Sequence, residues 1–270
     1  MFLECGFIAY YFYGVIFVIG LVFGSFINCM ALRMVTHESF LKGRSHCAKC
    51  GHQLSIADLV PVFSYLFLKG KCRYCNAKIS PRYMLVEMIT GCAFFLIVFK
   101  YGISWMTLRN LIFVCILLGL SLVDFDTYEI PDGFIVLGII NWIAFLPLIT
   151  GRIGPEYLSS NVSFIPFVKD GILGGFIISG ALLLLSMLFD KITGKESLGG
   201  GDIKLFFLVG LYLGLLESLF CLILACVLGI VFSLVVKNNR IPFGPAISSA
   251  TFLTLMIGDK VVEWYIHLFL

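Results

Sequence analysis

Charged residues are scarce in this chain: only 13% of its 270 residues are Asp, Glu, Lys or Arg, whereas 60% are hydrophobic. With a mean hydropathy of +1.03, the sequence is far more apolar than a soluble domain of this length tolerates. The scarcity of charge therefore excludes an ordinary soluble globular protein. We predict an all-α polytopic membrane protein.

The first apolar stretch, 7–32, lacks the features of a cleaved signal peptide. No Lys or Arg precedes it, it is longer than a signal-peptide core, and it has no convincing small-residue cleavage site. We expect it to be retained as a membrane span.

Apolar runs long enough to cross the hydrocarbon core predict about eight transmembrane helices. The predicted spans are 7–32, 84–99, 104–123, 133–150, 171–190, 204–217, 219–236 and 243–258. The sixth is short, and only Glu217 and Ser218 separate it from the seventh. Seven spans or a re-entrant hairpin are therefore alternatives.

Lys and Arg are unevenly distributed among the loops. The first loop contains Arg33, Lys42, Arg44, Lys49, Lys69, Lys71, Arg73, Lys78 and Arg82. Because Lys and Arg are enriched on the cytoplasmic side of membrane proteins, we expect this loop to be cytoplasmic and both termini to lie outside. With eight spans, successive loops alternate between the two sides of the membrane. This places five basic residues on the opposite side, namely Lys100, Arg109, Arg152, Lys169 and Lys260.

The first loop also contains two C-x-x-C pairs, Cys47 with Cys50 and Cys72 with Cys75. Each pair can bend into a knuckle that directs two thiolates at one tetrahedral centre, and their spacing is near that of zinc-ribbon sites. We predict a structural zinc ion with no open coordination position for catalysis. The alternative is two disulfides or four free thiols, and a reducing cytoplasm argues against disulfides.

Two acidic segments, 122–132 and 198–204, stand at the ends of predicted spans on the same membrane face. Ionisable groups at membrane depth are costly, so residues in such places are functional candidates. Two carboxylates brought together from separate helices can share one proton, so that one serves as general base and the other as general acid on a water molecule. The glycines at 199–201 would let the backbone approach a substrate closely.

Several carboxylates in these segments have simpler interpretations. Asp132 follows Pro131 and opens a helix, which favours an N-cap role. We expect Asp126 and Glu129 to be solvated loop charges. A G-x-G-D sequence alone is a weak signal, because short glycine motifs recur by chance. The second acidic segment on the same face strengthens the prediction of an active site.

These motifs together resemble the bacterial type IV prepilin peptidase/N-methyltransferase family, which consists of G-x-G-D intramembrane aspartyl proteases. The shared features are an Asp before an Ile-Pro-Asp segment, the G-x-G-D aspartate and the paired C-x-x-C loop. Further similar segments are Gly24-Ser25-Phe26-Ile27-Asn28, 61–66, 79–83, Val86-Glu87, 195–204 and Pro242-Phe243-Gly244-Pro245. The resemblance extends across residues 20–250.

The resemblance implies specific roles for residues of this chain. It makes Asp124 and Asp202 the catalytic pair, and it makes the zinc ligands Cys47, Cys50, Cys72 and Cys75. It also implies two domains. Residues 1–100 would contain the first span, the cysteine loop (33–83) and the second span, and residues 101–270 would form the transmembrane aspartyl peptidase domain.

Members of the family cut the short basic leader from prepilin and pseudopilin-like substrates at the cytoplasmic face of the bacterial inner membrane. Many also methylate the new N-terminal amine with S-adenosylmethionine, although the resemblance assigns no contact for that cofactor here. Arg33-Met34-Val35 replaces the usual Arg-x-Pro, and Tyr83-Met84 the usual Tyr-Pro, in the region linked with methyl transfer. Besides protein substrates, we expect contact with membrane lipid and none with nucleic acid.

Two other functions compete with this interpretation. A transporter or assembly scaffold would use the intramembrane carboxylates for ions without proteolysis, but the two acidic segments differ in form and share one side, unlike the paired broken helices of many transporters. A presenilin-like G-x-G-D protease would cut within membrane-spanning substrates, and the cysteine loop argues against it.

Overall fold

The computed structural model describes residues 6–38, 44–155, 158–159, 162–194, 198–236 and 242–269. Within these residues the secondary structure is helical, which confirms the predicted all-α fold. The α-helices are α1 (Gly6–Val35), α2 (Phe63–Phe67), α3 (Arg82–Tyr101), α4 (Trp105–Thr127), α5 (Asp132–Ile149), α6 (Phe164–Thr193), α7 (Gly200–Leu213), α8 (Leu215–Val236) and α9 (Gly244–Phe269). A 3₁₀ turn at Ile56–Leu59 precedes α2.

Six of the helices in the described ranges are long and apolar enough to cross a membrane, namely α1, α3, α4, α5, α6 and α8. The prediction of a multi-pass membrane protein is therefore confirmed, but the count of eight spans is not. At 1.5 Å per residue, α7 is about 21 Å long and falls short of the roughly 30 Å hydrocarbon core. Helix α9 is longer but carries Asp259, Lys260 and Glu263 near its end.

Several helix boundaries differ from those predicted, and two of the differences concern acidic residues. Helix α4 continues past 123 to Thr127, where Tyr128 takes a left-handed conformation (φ 59°) and ends it. The break between α7 and α8 is Gly214 (φ 77°), and Glu217 lies in the first turn of α8. Both errors arose because apolar runs mark the hydrocarbon core, whereas backbone hydrogen bonding decides where a helix ends.

The chain forms two compact units, Met1–Gly102 and Ile103–Leu270. In unit 1, α1 packs against α3 through glycines. A Cβ on Gly20 would lie 2.7 Å from the Cα of Gly91, and one on Gly24 would lie 2.9 Å from the Cα of Glu87. Gly20 and Gly24 form a G-x-x-x-G motif, which lets the backbones of two membrane helices approach closely.

Unit 2 surrounds the short helix α7. Helices α5, α6, α8 and α9 all pack against it, and the ring of Phe113 on α4 stacks on Tyr212 at a centroid distance of 3.6 Å. Within α7, residues 205–213 are buried except for the half-buried Phe207, so the neighbouring helices enclose it. Asp202 stands in its first turn.

Close contact between α6 and α7 depends on glycines from both helices. A Cβ on Gly210 would lie 2.5 Å from the Cα of Gly175, and a Cβ on Gly174 would lie 2.9 Å from the carbonyl oxygen of Gly210. These neighbours are backbone atoms, which cannot rotate away as a side chain can. Any residue larger than glycine at this contact would force the helices apart.

Arg109 is buried inside unit 2 at 2% exposure. The distribution of Lys and Arg had assigned it to the side of the membrane opposite the first loop. Its guanidinium donates hydrogen bonds to Asn110 Oδ1 and lies over the Tyr212 ring, 5.0 Å from the centroid. The Tyr212 hydroxyl donates to the carbonyl of Gly138 and accepts from Asn141. This polar network joins α4, α5 and α7 within the bundle.

We predict that Gly210→Ala lowers the unfolding temperature of the purified protein in detergent. Overpacking of a close contact costs about 1–3 kcal/mol, and here only backbone movement can relieve it. Gly180→Ala on α6 is the control, because its Cβ would meet nothing within 4 Å. Equal unfolding temperatures for wild type and Gly210→Ala would contradict the packing described for α6 and α7.

Candidate active site and metal centre

Asp124 lies in the last turn of α4 and is buried at 4% exposure. Its Oδ2 accepts a hydrogen bond of 2.8 Å from the backbone N–H of Gly244, the first residue of α9. The N–H groups of a first helical turn have no partner within the helix, and the helix dipole favours a negative charge there. The start of α9 therefore holds this carboxylate in place.

Gly244 leaves no space for a side chain. A Cβ at this position would lie 2.7 Å from Asp124 Oδ2. The segment Pro242-Phe243-Gly244-Pro245 was singled out in the sequence only as part of the resemblance, and its contact with Asp124 was not predicted. Nothing in the local sequence signals a contact across 120 residues.

Asp202 is the third residue of α7, whose N-cap is Gly199. The Asp202 carboxylate accepts a hydrogen bond from the backbone of Gly199, and the Asp202 N–H donates to the Gly199 carbonyl at 3.0 Å. The bond to the carboxylate is one half of a capping box, since Gly199 has no side chain to supply the other half, and it orients the carboxylate at the helix start. The space beside Gly200 is open, since a Cβ there would meet nothing within 4 Å.

The structure brings the two acidic segments together within unit 2. Asp124 and Asp202 are close enough for their charges to interact. A Cβ on Gly201 would lie 3.0 Å from the Cβ of Ile130, and Lys204 Nζ forms an ion pair of 2.7 Å with Asp132 Oδ1. The ion pair is exposed and adds about 0–1 kcal/mol at most. Its contribution is to fix the register between the two segments.

The remaining carboxylates of the first segment do not join this pair. Asp126 and Glu129 are exposed, as the sequence predicted. The predicted N-cap role of Asp132 is wrong, because Pro131 is the N-cap and Asp132 is the first helical residue, with no side-chain cap hydrogen bond. The Lys204 ammonium, which comes from a distant part of the sequence, is its partner.

Two carboxylates on separate helices in electrostatic contact form an arrangement that can hold a single proton between them. Such a pair can remove a proton from water while it donates one to a second oxygen. The chemistry available at this site is therefore general acid–base hydrolysis.

The four loop cysteines form a cluster in unit 1. Their sulfur atoms all lie within 4.8 Å of one another, and Cys47 Sγ is 3.9 Å from Cys75 Sγ. Zinc bonds thiolates at about 2.3 Å, so the edge of a tetrahedral zinc site is about 3.8 Å. The arrangement fits a tetrahedral ion, and the predicted meeting of the two pairs is confirmed.

The two C-x-x-C pairs have the same backbone geometry. The Cys47 carbonyl accepts from the N–H of Gly51 at 2.8 Å, and the Cys72 carbonyl accepts from the N–H of Asn76 at 2.9 Å. Gly51 and Asn76 both have positive φ, of 70° and 55°, a conformation open to glycine and tolerated by asparagine. Each pair therefore forms the knuckle that the sequence predicted.

The electrostatics of the cluster suit a cation. Backbone N–H groups of Cys50 and Lys49 lower the pKa of the Cys47 thiol from 9.0 to about 6. The N–H of Ala77 also lowers the pKa of Cys75, but desolvation and the neighbouring thiols outweigh it and raise that pKa to about 11. Once one thiolate forms, the others resist ionisation, and a dication would remove that resistance.

Asp58 organises the loop around the cluster, although no sequence motif singles it out. Its carboxylate accepts from Ser55 Oγ (2.7 Å) and Tyr74 Oη (3.1 Å) and pairs with Arg73 Nε (2.8 Å). Arg73 and Tyr74 are the two residues between the second pair of cysteines. The one sequence feature that distinguishes Asp58 is that it is the single acidic residue in 44–81.

Two family models match consecutive parts of the chain. The bacterial peptidase A24 N-terminal domain matches residues 18–101, which include the four cysteines. The type IV leader peptidase family matches residues 111–234, which include Asp124 and Asp202.

Similar proteins match the chain over nearly its whole length. The prepilin leader peptidase/N-methyltransferase of Neisseria gonorrhoeae is 30% identical over 92% of this chain and 93% of its own. The chain belongs to the type IV leader peptidase family. This confirms the family that the motifs indicated.

Two further proteins are similar to this family member. The prepilin leader peptidase/N-methyltransferase of Bacillus subtilis (strain 168) is 28% identical over 94% of this chain and 98% of its own. The type 4 prepilin-like proteins leader peptide-processing enzyme of Escherichia coli O78:H11 is 32% identical over 88% of this chain and 91% of its own. No solved structure matches the chain.

We predict that Asp58→Asn loosens the cysteine loop of this family member at neutral pH. The Ser55 hydroxyl, with Tyr74 and Arg73, holds the pKa of Asp58 below its ordinary 3.8. Its stabilising effect is therefore present above pH 3.8 and is lost only as the pH falls through the lower folded value. Hydrogen bonds to charged groups contribute about 1.5–3 kcal/mol, so amide-exchange protection across 44–79 should fall about tenfold or more.

The control is Asp132→Asn, which removes one exposed ion pair in unit 2. It should leave exchange in the cysteine loop at the wild-type rate. Unchanged exchange in Asp58→Asn at neutral pH would show that the Asp58 contacts do not order the loop.

Proposed function

We propose that this chain is a prepilin leader peptidase that cleaves prepilin and pseudopilin-like substrates with Asp124 and Asp202. The observation that carries the proposal is the pairing of these two carboxylates from α4 and α7, each fixed by a backbone N–H at a helix start. The names of the similar proteins supply the substrate class, prepilin-like proteins with a leader.

In the proposed reaction the two carboxylates share one proton. The ionised carboxylate takes a proton from water as the water oxygen bonds to the scissile carbonyl carbon, and the protonated carboxylic acid donates its proton to the carbonyl oxygen. As the C–N bond breaks, the proton gained from water passes to the leaving amine. The product is a mature chain with a new N-terminal amine, and the shared proton returns to the pair.

Gly199 and Gly200, which are exposed, lie three and two residues before Asp202. A substrate in extended conformation can hydrogen-bond to such a backbone, and no Cβ at Gly200 obstructs it. We propose that this glycine segment holds the cleavage site against the two carboxylates.

We also propose that the cysteine cluster binds one structural zinc ion through Cys47, Cys50, Cys72 and Cys75. Four thiolates fill a tetrahedral coordination shell, so the ion would stabilise the loop and would not activate water. A reducing cytoplasm suits these four thiols, and the basic residues around them favour the cytoplasmic face of the bacterial inner membrane. Unit 1 would then contain the structural zinc site, and unit 2 would contain the peptidase site.

The names of the similar proteins include N-methyltransferase, so we propose methylation of the new amine as a second activity. S-adenosylmethionine would supply the methyl group. The Asn28 amide in unit 1 has no hydrogen-bond partner within the described residues, but the side chain is only 1% exposed and cannot reach a ligand from solvent. We therefore assign no residue-level step to methyl transfer.

The test of the peptidase proposal is cleavage of a purified prepilin in detergent with labelled S-adenosylmethionine present. The mass of the product shows whether the leader has been removed and, separately, whether a methyl group has been added. Asp124→Asn and Asp202→Asn should each lower cleavage by roughly 10²- to 10⁴-fold, because each removes one acid–base group. Asp126→Asn, which changes an exposed neighbour, should keep substantial activity. Equal loss in all three variants would refute the assignment of a specific pair.

Gly244→Ala tests whether the start of α9 positions Asp124. The added Cβ would displace the carboxylate, and a misplacement of roughly 1 Å can cost about 100-fold in rate. We expect kcat to fall with little change in KM, because the substrate-binding surface is intact. Gly133→Ala, whose Cβ would meet nothing within 4 Å, is the matched control near the site. Wild-type kcat in Gly244→Ala would show that this contact has no catalytic consequence.

Metal analysis of the purified chain tests the zinc proposal. We expect one zinc per molecule, and we expect Cys47→Ser and Cys72→Ser to release it because each removes a thiolate ligand. Cys92→Ser, which changes an exposed cysteine on α3, should retain the metal. A metal-free wild type with disulfides in the loop would overturn both the zinc site and the cytoplasmic placement.

A further inference from the structure

A cluster of large apolar side chains is exposed on unit 1 just before the second cysteine pair. We call this cluster the apolar patch. Its members are Ile56, Leu59, Val60, Phe63, Leu66 and Phe67. Ile56 and Phe67 are each 83% exposed. Single exposed apolar residues are common on protein surfaces, but six within twelve positions are a concentration of the kind that marks interaction sites.

A buried carboxylate fastens the patch to the membrane-spanning helices of its own unit. Glu87 Oε2 accepts a 2.7 Å hydrogen bond from the backbone N–H of Val62, and the Glu87 side chain also hydrogen-bonds to Ser25 on α1. Glu87 is the sixth residue of α3, so it lies about 7 Å along the helix from its start. The segment that carries the patch is therefore held beside the first two turns of α3.

The backbone at this attachment is unusual. Val62 has φ 61° and ψ −51°, in a region that β-branched residues rarely adopt. It is the N-cap of α2, and it separates Val60 from Phe63 while keeping its N–H directed at Glu87. Such a conformation persists only where the surrounding contacts enforce it. Here the Glu87 contact fixes the residue before α2 to α3.

The charge around the patch is positive. Lys69, Lys71, Arg73 and Lys78 follow it in the chain, and all four are exposed. Asp58 is the single acidic residue of the sequence 44–81, and Arg73 pairs with it. Aromatic and aliphatic side chains beside lysines are typical of segments that lie in the membrane interface, where lysines attract anionic lipid headgroups.

We propose that the apolar patch is an interfacial anchor that inserts into the headgroup region of a leaflet containing anionic phospholipid. The Glu87 contact places it at the correct depth, the apolar side chains enter the upper acyl region, and the lysines contact the phosphates. The anchor holds the cysteine loop down on the bilayer surface, next to the spans from which it emerges. This role is independent of peptide cleavage.

The experiment uses the full chain reconstituted in phosphatidylcholine vesicles that contain phosphatidylglycerol, with and without lipids brominated near the top of the acyl chains. Phe67→Trp adds a tryptophan at the patch. The wild type already contains Trp105, Trp142 and Trp264, so the emission of the added tryptophan is the emission of the variant minus that of the wild type. Bromine should quench roughly half or more of the added emission, as for an interfacial residue. Gln53→Trp, at an exposed position beside the first cysteine pair, is the control and should stay unquenched.

Leu66→Trp provides a second probe on the same turn and should be quenched as Phe67→Trp is. Retained zinc and an unchanged unfolding temperature confirm that each variant is folded. Combining Phe67→Trp with Lys69→Glu and Lys71→Glu should reduce the quenching in vesicles with phosphatidylglycerol and leave it unchanged in phosphatidylcholine alone.

Two outcomes would overturn the proposal. Blue-shifted but unquenched emission from both patch tryptophans would show that protein covers the patch, either another part of this chain or a second copy. Red-shifted and unquenched emission would show that the patch faces water.

Discussion

The contact between the backbones of α6 and α7 determines the arrangement of unit 2. Lipid tails are as apolar as Leu, so association of membrane helices depends on close packing rather than on burial from water. Gly174, Gly175 and Gly210 allow that packing at the backbone level. The short helix α7 can then be enclosed on all sides, and its first turn carries Asp202 to a position beside the end of α4.

Most of the architecture was predictable because bilayer thickness limits the possible structures. Long apolar runs predicted the helices, and the two C-x-x-C pairs predicted a cluster that the structure brings together. The meeting of the two acidic segments was also predictable, since both had to lie on one membrane face. Apolar runs do not show where a helix ends outside the hydrocarbon core. For this reason the sequence placed Asp124 in a loop, whereas the structure places it within α4.

The residues that sequence reasoning missed or misjudged make contacts between distant segments. Asp132 looked like an N-cap from its neighbours, but its partner Lys204 comes from another helix. Arg109 was counted among the basic residues of the opposite membrane side, and it is buried against Tyr212. Gly244 had no visible role until the fold placed it on Asp124. Local patterns carry no information about such partners, which only the packing of helices decides.

The hydrogen bond between Asp124 and the start of α9 also links the chemistry of the site to the stability of a helix. A hydrogen bond to an ionised group stabilises by about 1.5–3 kcal/mol, roughly twice a neutral one, so loss of charge on Asp124 weakens the attachment of α9. Thermodynamic reciprocity then requires that a firm attachment of α9 favours the ionised carboxylate. A change in the protonation of Asp124 therefore changes how strongly this carboxyl group holds the start of α9.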